Sequence, residues 1–157
     1  MPAKKSLVST VSPDDQLDSF FDKYNPTIAA LARACRSATR KRMPTANELV
    51  YDNYQFLAIG YCPSERASAC IVSLAINKHG VALSFYYGAT LEDPDGILLG
   101  TGKQNRFIRL PTSSTLAEPA VESRISAAIA QGTVPLPVGG KGQLIIKSIS
   151  AKQVPRR

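Results

Sequence analysis

The spacing of apolar and polar positions changes from one part of this chain to the next. Between residues 12 and 42 it is helical. Leu17, Phe20, Phe21 and Tyr24 fall on one side of a first helix, and Asp14, Asp15, Asp18 and Asp22 fall on the other. Ser12-Pro13-Asp14-Asp15 starts that helix with a serine cap, a proline in the first turn and acids facing the positive end of the dipole. Asn25-Pro26 starts a second helix by the same device. This helix buries Ile28, Leu31, Ala32 and Cys35 and carries Arg33, Arg36 and Arg40 on an outer flank. The Arg40-Lys41-Arg42 cluster suits its C-terminal end, and Pro44 closes it.

From Tyr54 the period is that of strands. Tyr54 to Cys62 is almost wholly apolar, the pattern of a central strand covered on both faces. Ala69 to Asn77 alternates, with Cys70, Val72, Leu74 and Ile76 sharing a face. Asn77-Lys78-His79-Gly80 has the residue order of a tight turn. Val81, Leu83, Phe85 and Tyr87 carry the buried side of the next strand, and Phe107 to Leu110 forms a further one. Their connections are too short for parallel crossovers, so the strands are expected to be antiparallel. A last helix runs from Pro119 to Gln131, with Val121, Ile125, Ala128 and Ile129 inward and Gly132 as its stop. The predicted fold is an α+β sandwich: two N-terminal helices, an antiparallel sheet of three to five strands, and one C-terminal helix on the same face. Residues 12–132 form the domain and 1–11 a flexible N-terminus. Residues 133–157 form a Pro/Gly-containing basic tail, largely mobile, in which Leu144-Ile145-Ile146 adds briefly to a sheet edge.

Composition refines this picture in two places. The chain has 157 residues, 44% of them hydrophobic and 20% charged, which suits one globular domain with a single core. No apolar run approaches the ~20 residues that span a bilayer, and no apolar segment follows Lys4-Lys5, so neither membrane insertion nor a signal peptide is expected. A cytoplasmic location follows as the expectation. The net charge is +7, yet Lys141, Lys147, Lys152, Arg156 and Arg157 supply five of those charges in a segment without acids, leaving +2 for residues 1–132. The three cysteines, Cys35, Cys62 and Cys70, are expected as free, mostly buried thiols. A hairpin turning at Pro63-Ser64-Glu65-Arg66 would pair Cys62 near Ala67 and put Cys70 ~10 Å further along, beyond disulfide reach.

Three stretches carry candidate chemistry. Asp18 and Asp22, four residues apart on a helix, bring carboxylates within reach of one hard cation, and Asp14 and Asp15 extend the row. The alternative is a solvated face that complements the helix dipole. Gly100-Thr101-Gly102-Lys103 invites a phosphate-loop reading. That motif requires a glycine where Ile97 stands and a serine or threonine where Gln104 stands, so the pattern fails twice. What is left is an anion site of Gly100, Gly102, Lys103, Arg106 and Arg109, set against a purely structural turn. In a regular strand Arg106 and Arg109 point to opposite faces. His79, the one histidine, stands at a turn tip. No Gly-x-Ser-x-Gly elbow, second histidine or zinc-type cysteine spacing is present, so no catalytic constellation is expected.

Leu91-Glu92-Asp93-Pro94-Asp95-Gly96-Ile97-Leu98-Leu99-Gly100-Thr101-Gly102-Lys103-Gln104-Asn105-Arg106 resembles the hallmark of the YdhG-like domain family, and Lys78-His79 before an apolar strand resembles a second feature of it. The resemblance covers roughly residues 14–130. It implies a frataxin-like α+β fold of small intracellular bacterial proteins, most of unknown biochemical role. One branch is described as an iron chaperone feeding iron–sulfur cluster or haem assembly. Frataxins hold iron through acids near the first helix, and Asp14, Asp15, Asp18 and Asp22 stand at the matching place here. The chain departs from the frataxin pattern in being basic. The leading expectation is therefore a non-catalytic, weak Fe2+-binding, iron-delivery protein whose partners are iron–sulfur or haem assembly proteins. The alternative is a module that binds an anionic ligand, an acidic partner or nucleic acid through Lys103, Arg106, Arg109 and the tail.

Overall fold

The computed structural model describes residues 11–157, so the expected flexible segment at 1–11 lies, apart from Val11, outside the described residues. Helix α1 spans Pro13–Phe21 and α2 spans Pro26–Arg42. Both start as their cap residues dictate. Ser12 Oγ accepts the Asp15 amide at 3.1 Å and Asn25 Oδ1 accepts that of Ile28 at 2.9 Å, each satisfying an otherwise orphaned donor. Strands β1 (Asn47–Asp52), β2 (Leu57–Cys62), β3 (Val72–Asn77), β4 (Gly80–Phe85) and β5 (Arg106–Arg109) follow, then α3 (Pro119–Gln131) and β6 (Leu144–Ile149). No helix among the described residues is long and apolar enough to cross a membrane.

The fold is α+β, with three α-helices and a six-stranded sheet in the order β5-β4-β3-β2-β1-β6. The expected purely antiparallel sheet of three to five strands needs correction. β1 to β5 form the antiparallel meander, but β6 lies parallel to β1. Short loops forbid parallel crossovers only within residues 47–110. The long connection through α3 carries the chain from the β5 edge to the far side of β1. The stretch read as a largely mobile tail thus supplies the sixth strand, and beyond it Val154 N donates to Tyr54 O at 2.9 Å. The β1–β6 register shifts between Val50 and Tyr51, leaving Lys147 as the unpaired residue of a bulge.

Strand β1 itself escapes the sequence pattern. Its core-facing positions are Glu48, Val50 and Asp52, and charges at core positions hide the alternation. Tyr54 and Phe56, expected inside a central strand, stand exposed in the β1–β2 turn. The inner face is built in rungs. Val50, Ile59, Leu74, Leu83 and Ile108 make the middle one, and Tyr61, Val72 and Phe85 extend another from Glu48. All three helices bury their apolar stripes on this face, through Leu17, Phe20 and Phe21, then Ala29, Ala32 and Cys35, then Val121, Ile125 and Ala128.

Cys62 and Cys70 are joined by a disulfide, with Cα atoms 4.2 Å apart, contrary to the expected pair of free thiols. The β2–β3 connection does not turn at residues 63–66. Tyr61 pairs with Val72, and the loop between them folds through a 3-10 turn at Ala67–Ala69 that returns Cys70 to Cys62. Gly60 makes the room, since a Cβ there would lie 2.7 Å from Cys70 Sγ. Cys35 stays free, and burial pushes its thiol up to about 11. Without reductant, the folded protein is expected to show no thiol reacting quickly with Ellman's reagent near pH 8, and the denatured protein one. After reduction and denaturation all three cysteines should react. Two further thiols in the unreduced, denatured sample would rule out the disulfide.

Candidate anion-binding cleft

Arg33, Arg36 and Arg40 recur at three- and four-residue spacing along α2, so they rise from one face of it toward α1 and β1. Each ends differently. Arg33 reaches α1, where NH2 donates to Asp18 Oδ1 at 2.7 Å and to Asp22 Oδ1 at 2.8 Å. These bonds, to Asp22 first and Asp18 second, hold its guanidinium more firmly protonated than usual. Arg36 grips the Glu48 carboxylate in two-point fashion, Nε to Oε2 at 3.0 Å and NH2 to Oε1 at 2.9 Å, with Asp14 Oδ1 at 3.5 Å from NH2. Arg40 spends its donors on carbonyls, donating to Ala46 O at 2.6 Å and to Gly142 O, while Glu48 Oε1 stays 3.9 Å away.

Glu48 is the fixed point of this arrangement. Its side chain is 1% exposed on the inner face of β1, and it accepts the Tyr61 hydroxyl at 2.7 Å as well as both Arg36 donors. A carboxylate so buried requires such partners. Burial first, and the Glu48 charge second, push the Tyr61 hydroxyl well above its ordinary range, so that Tyr61 serves as a permanent donor. Above Glu48 opens a cleft of about 900 Å3 between α1, α2 and the start of β6. Asp14, Asp15 and Asp18 line it from α1. Arg36, Arg40 and Lys41 from α2 and Lys141 from the approach to β6 line it too, with Phe21 and Leu144 as its apolar members.

Lys141 reaches this cleft because the chain is pinned beside it. Gly142 N donates to Pro44 O at 3.0 Å, Gln143 N donates to Asn47 Oδ1 at 2.9 Å, and Arg40 holds the Gly142 carbonyl. A Cβ at Gly142 would overlap the Ala46 carbonyl, so only glycine allows this approach. Among the described residues, neither Lys41 nor Lys141 has a carboxylate within 4.0 Å.

A second buried carboxylate, Asp52, mirrors Glu48 at the other end of β1. It accepts Lys23 Nζ at 2.6 Å and Arg156 NH2 at 2.9 Å. Burial alone would raise its pKa. The hydrogen bonds from Lys23, Gln153 and Arg156 together outweigh that and hold it below the ordinary 3.8.

The residues singled out from sequence are dispersed. Asp14, Asp15 and Asp18 share the cleft, whereas Asp18 and Asp22 are engaged by Arg33. Among the described residues no three His, Cys, Asp or Glu side chains converge as a metal-holding group. At the Gly100–Lys103 loop it is a carbonyl that meets a charge: Arg106 NH1 donates to Gly102 O, and to Asn105 O at 2.7 Å. That polarity is the reverse of an anion nest. Arg106 pairs with core-facing Phe85, while Arg109 pairs with Ala82 on the opposite face and lies over the Phe107 ring, so the two arginines leave the sheet on opposite sides. His79 is exposed in its turn, its amide donating to Asn77 Oδ1 at 2.8 Å. Glu48, Tyr61, Lys141 and Gly142 were not singled out. The one available signal was a glutamate inside Asn47-Glu48-Leu49-Val50-Tyr51, where an apolar residue belongs on the inner face. A scan of family models, a search of curated proteins and a search of solved structures each returned no match to this chain.

Proposed function

We propose that this protein is a non-catalytic binding module for a small anionic ligand, taken up in the cleft between α1, α2 and Lys141. One observation carries the reading. Lys41 and Lys141 line a cleft of ligand-accommodating size and have no acidic partner among the described residues, beside an Arg40 that bonds only to carbonyls. Arg40 is fixed by backbone carbonyls, so an anion would meet a preorganised cation there, while Glu48 neutralises Arg36. The reading keeps the anion-binding expectation and the tail's share in it, through Lys141, but replaces the Gly100–Arg109 stretch by α2.

Calorimetric titration with inorganic phosphate at low ionic strength tests it. The expected result is binding that weakens with added salt and falls by about tenfold in a Lys41→Gln/Lys141→Gln variant. Undiminished binding in that variant, or none in the wild type, would sink the reading.

Iron binding by the acids of α1, as the YdhG-like resemblance implies, is the competing reading. It would need Asp18 and Asp22 to leave Arg33 and a cation to settle opposite Arg36, Arg40, Lys41 and Lys141. An anaerobic Fe2+ titration that finds wild type and Asp18→Asn/Asp22→Asn alike removes it.

A further inference from the structure

The cleft holds charges of both signs, and three of them, Lys41, Lys141 and Asp15, have no ion-pair partner among the described residues. Lys41 and Lys141 stand on one side. On the other, the Asp15 carboxylate has no hydrogen-bond or ion-pair partner among the described residues, and Asp14 has one contact, to Arg36 at 3.5 Å. Had these opposite charges stood within 4 Å they would have closed on one another as ion pairs. Instead, Lys41 and Lys141 on one side and Asp15 on the other stay without an ion pair, and Arg36 with Asp14 makes the long contact between the two walls. A simple anion uses half of such a cleft and leaves its own field opposed by Asp14 and Asp15. A ligand with an anionic head and an ammonium group on one short chain uses both walls and removes that opposition.

Resting on the anion reading of the same cleft, we infer that the ligand is a small zwitterion. Lys41, Lys141 and Arg40 receive its anionic head, while Asp14 and Asp15 receive its ammonium. The acids on α1 then act as a selectivity filter. They tax a plain anion by like-charge repulsion and reward the one that brings its own cation, so discrimination comes as much from what they repel as from what they attract.

Phosphoethanolamine and ethyl phosphate, which differ only in the amino group, are the probes, titrated against the full chain at one low salt concentration. Phosphoethanolamine is expected to bind about three- to tenfold more tightly, the range of one or two solvated ion pairs. An Asp14→Asn/Asp15→Asn variant is expected to bring the two affinities together, with ethyl phosphate bound at least as tightly as by the wild type. Thermal melts of the variant check that α1 remains folded. Equal affinities in the wild type, or a preference that survives in the variant, would overturn the zwitterion inference alone. Binding of neither probe would overturn it together with the anion reading.

Discussion

Replacing Asp52 by alanine is expected to destabilise the fold by about 3–5 kcal/mol, because a buried guanidinium loses its counter-charge. At this chain length that lowers Tm by on the order of 10 °C. Arg156 is only 3% exposed and carries a buried Nε with no acceptor. Without Asp52 it retains only the carbonyls of Asn53 and Tyr54 as acceptors. Lys23, 37% exposed, can turn to water and suffers less. The penalty therefore belongs to Arg156, and removing both charges should restore much of the loss: Asp52→Leu/Arg156→Met is expected to be more stable than Asp52→Ala. A Tm drop under about 3 °C for Asp52→Ala, by calorimetry, would show that the pair contributes little. The pH dependence has a definite sign. The folded pKa of Asp52 lies below its unfolded 3.8, so its contribution is complete above about pH 4 and is lost as pH falls through the folded value. The variant should lack that part of the acid limb.

Glu48→Ala is expected to move two observables in opposite directions. Stability should fall by about 2–4 kcal/mol, since the Tyr61 hydroxyl, in a residue with 0% exposure, is left without an acceptor and Arg36 without its two-point partner. Tyr61→Phe, which removes only the donor, should cost about 1 kcal/mol. Meanwhile the cleft loses a negative charge and Arg36 is released toward it, so phosphate affinity should rise. Denaturant unfolding and phosphate calorimetry on the same preparations read both effects. An affinity that falls along with stability would show that Glu48 positions the cationic wall rather than neutralising it.

The contrast between Glu48 and the helices explains what the sequence makes legible. Helix limits depend on local chemistry, such as Ser12-Pro13, Asn25-Pro26 and Gly132, and these signals were readable residue by residue. The β3–β4 hairpin was readable for the same reason, through alternation and the Asn77–Gly80 turn. β1 was hidden because its inner positions carry Glu48 and Asp52, whose partners come from 12 residues earlier in the case of Arg36 and 104 residues later in the case of Arg156. Local patterning has no access to such distances. Asp18 and Asp22 were correctly grouped, but the cation they hold is Arg33 from the next helix. Lys141 was visible as a charge in a Pro/Gly-rich stretch. Its place on the cleft depends on Gly142 fitting against Ala46, which only the folded backbone reveals.

The bulge at Lys147 bears on how copies of this chain keep apart. β6 is one of the two outer strands of the sheet, and an outer strand offers unpaired amides and carbonyls to any neighbouring chain. Leu144-Ile145-Ile146 would be a ready template for such sheet extension. The inserted residue breaks the ladder just after it, and Lys147 reaches from the bulge to donate to the Glu65 carbonyl at 3.2 Å. A second chain could then add only a short ladder before meeting a kink. The same segment that completes the sheet thereby guards it against open-ended growth.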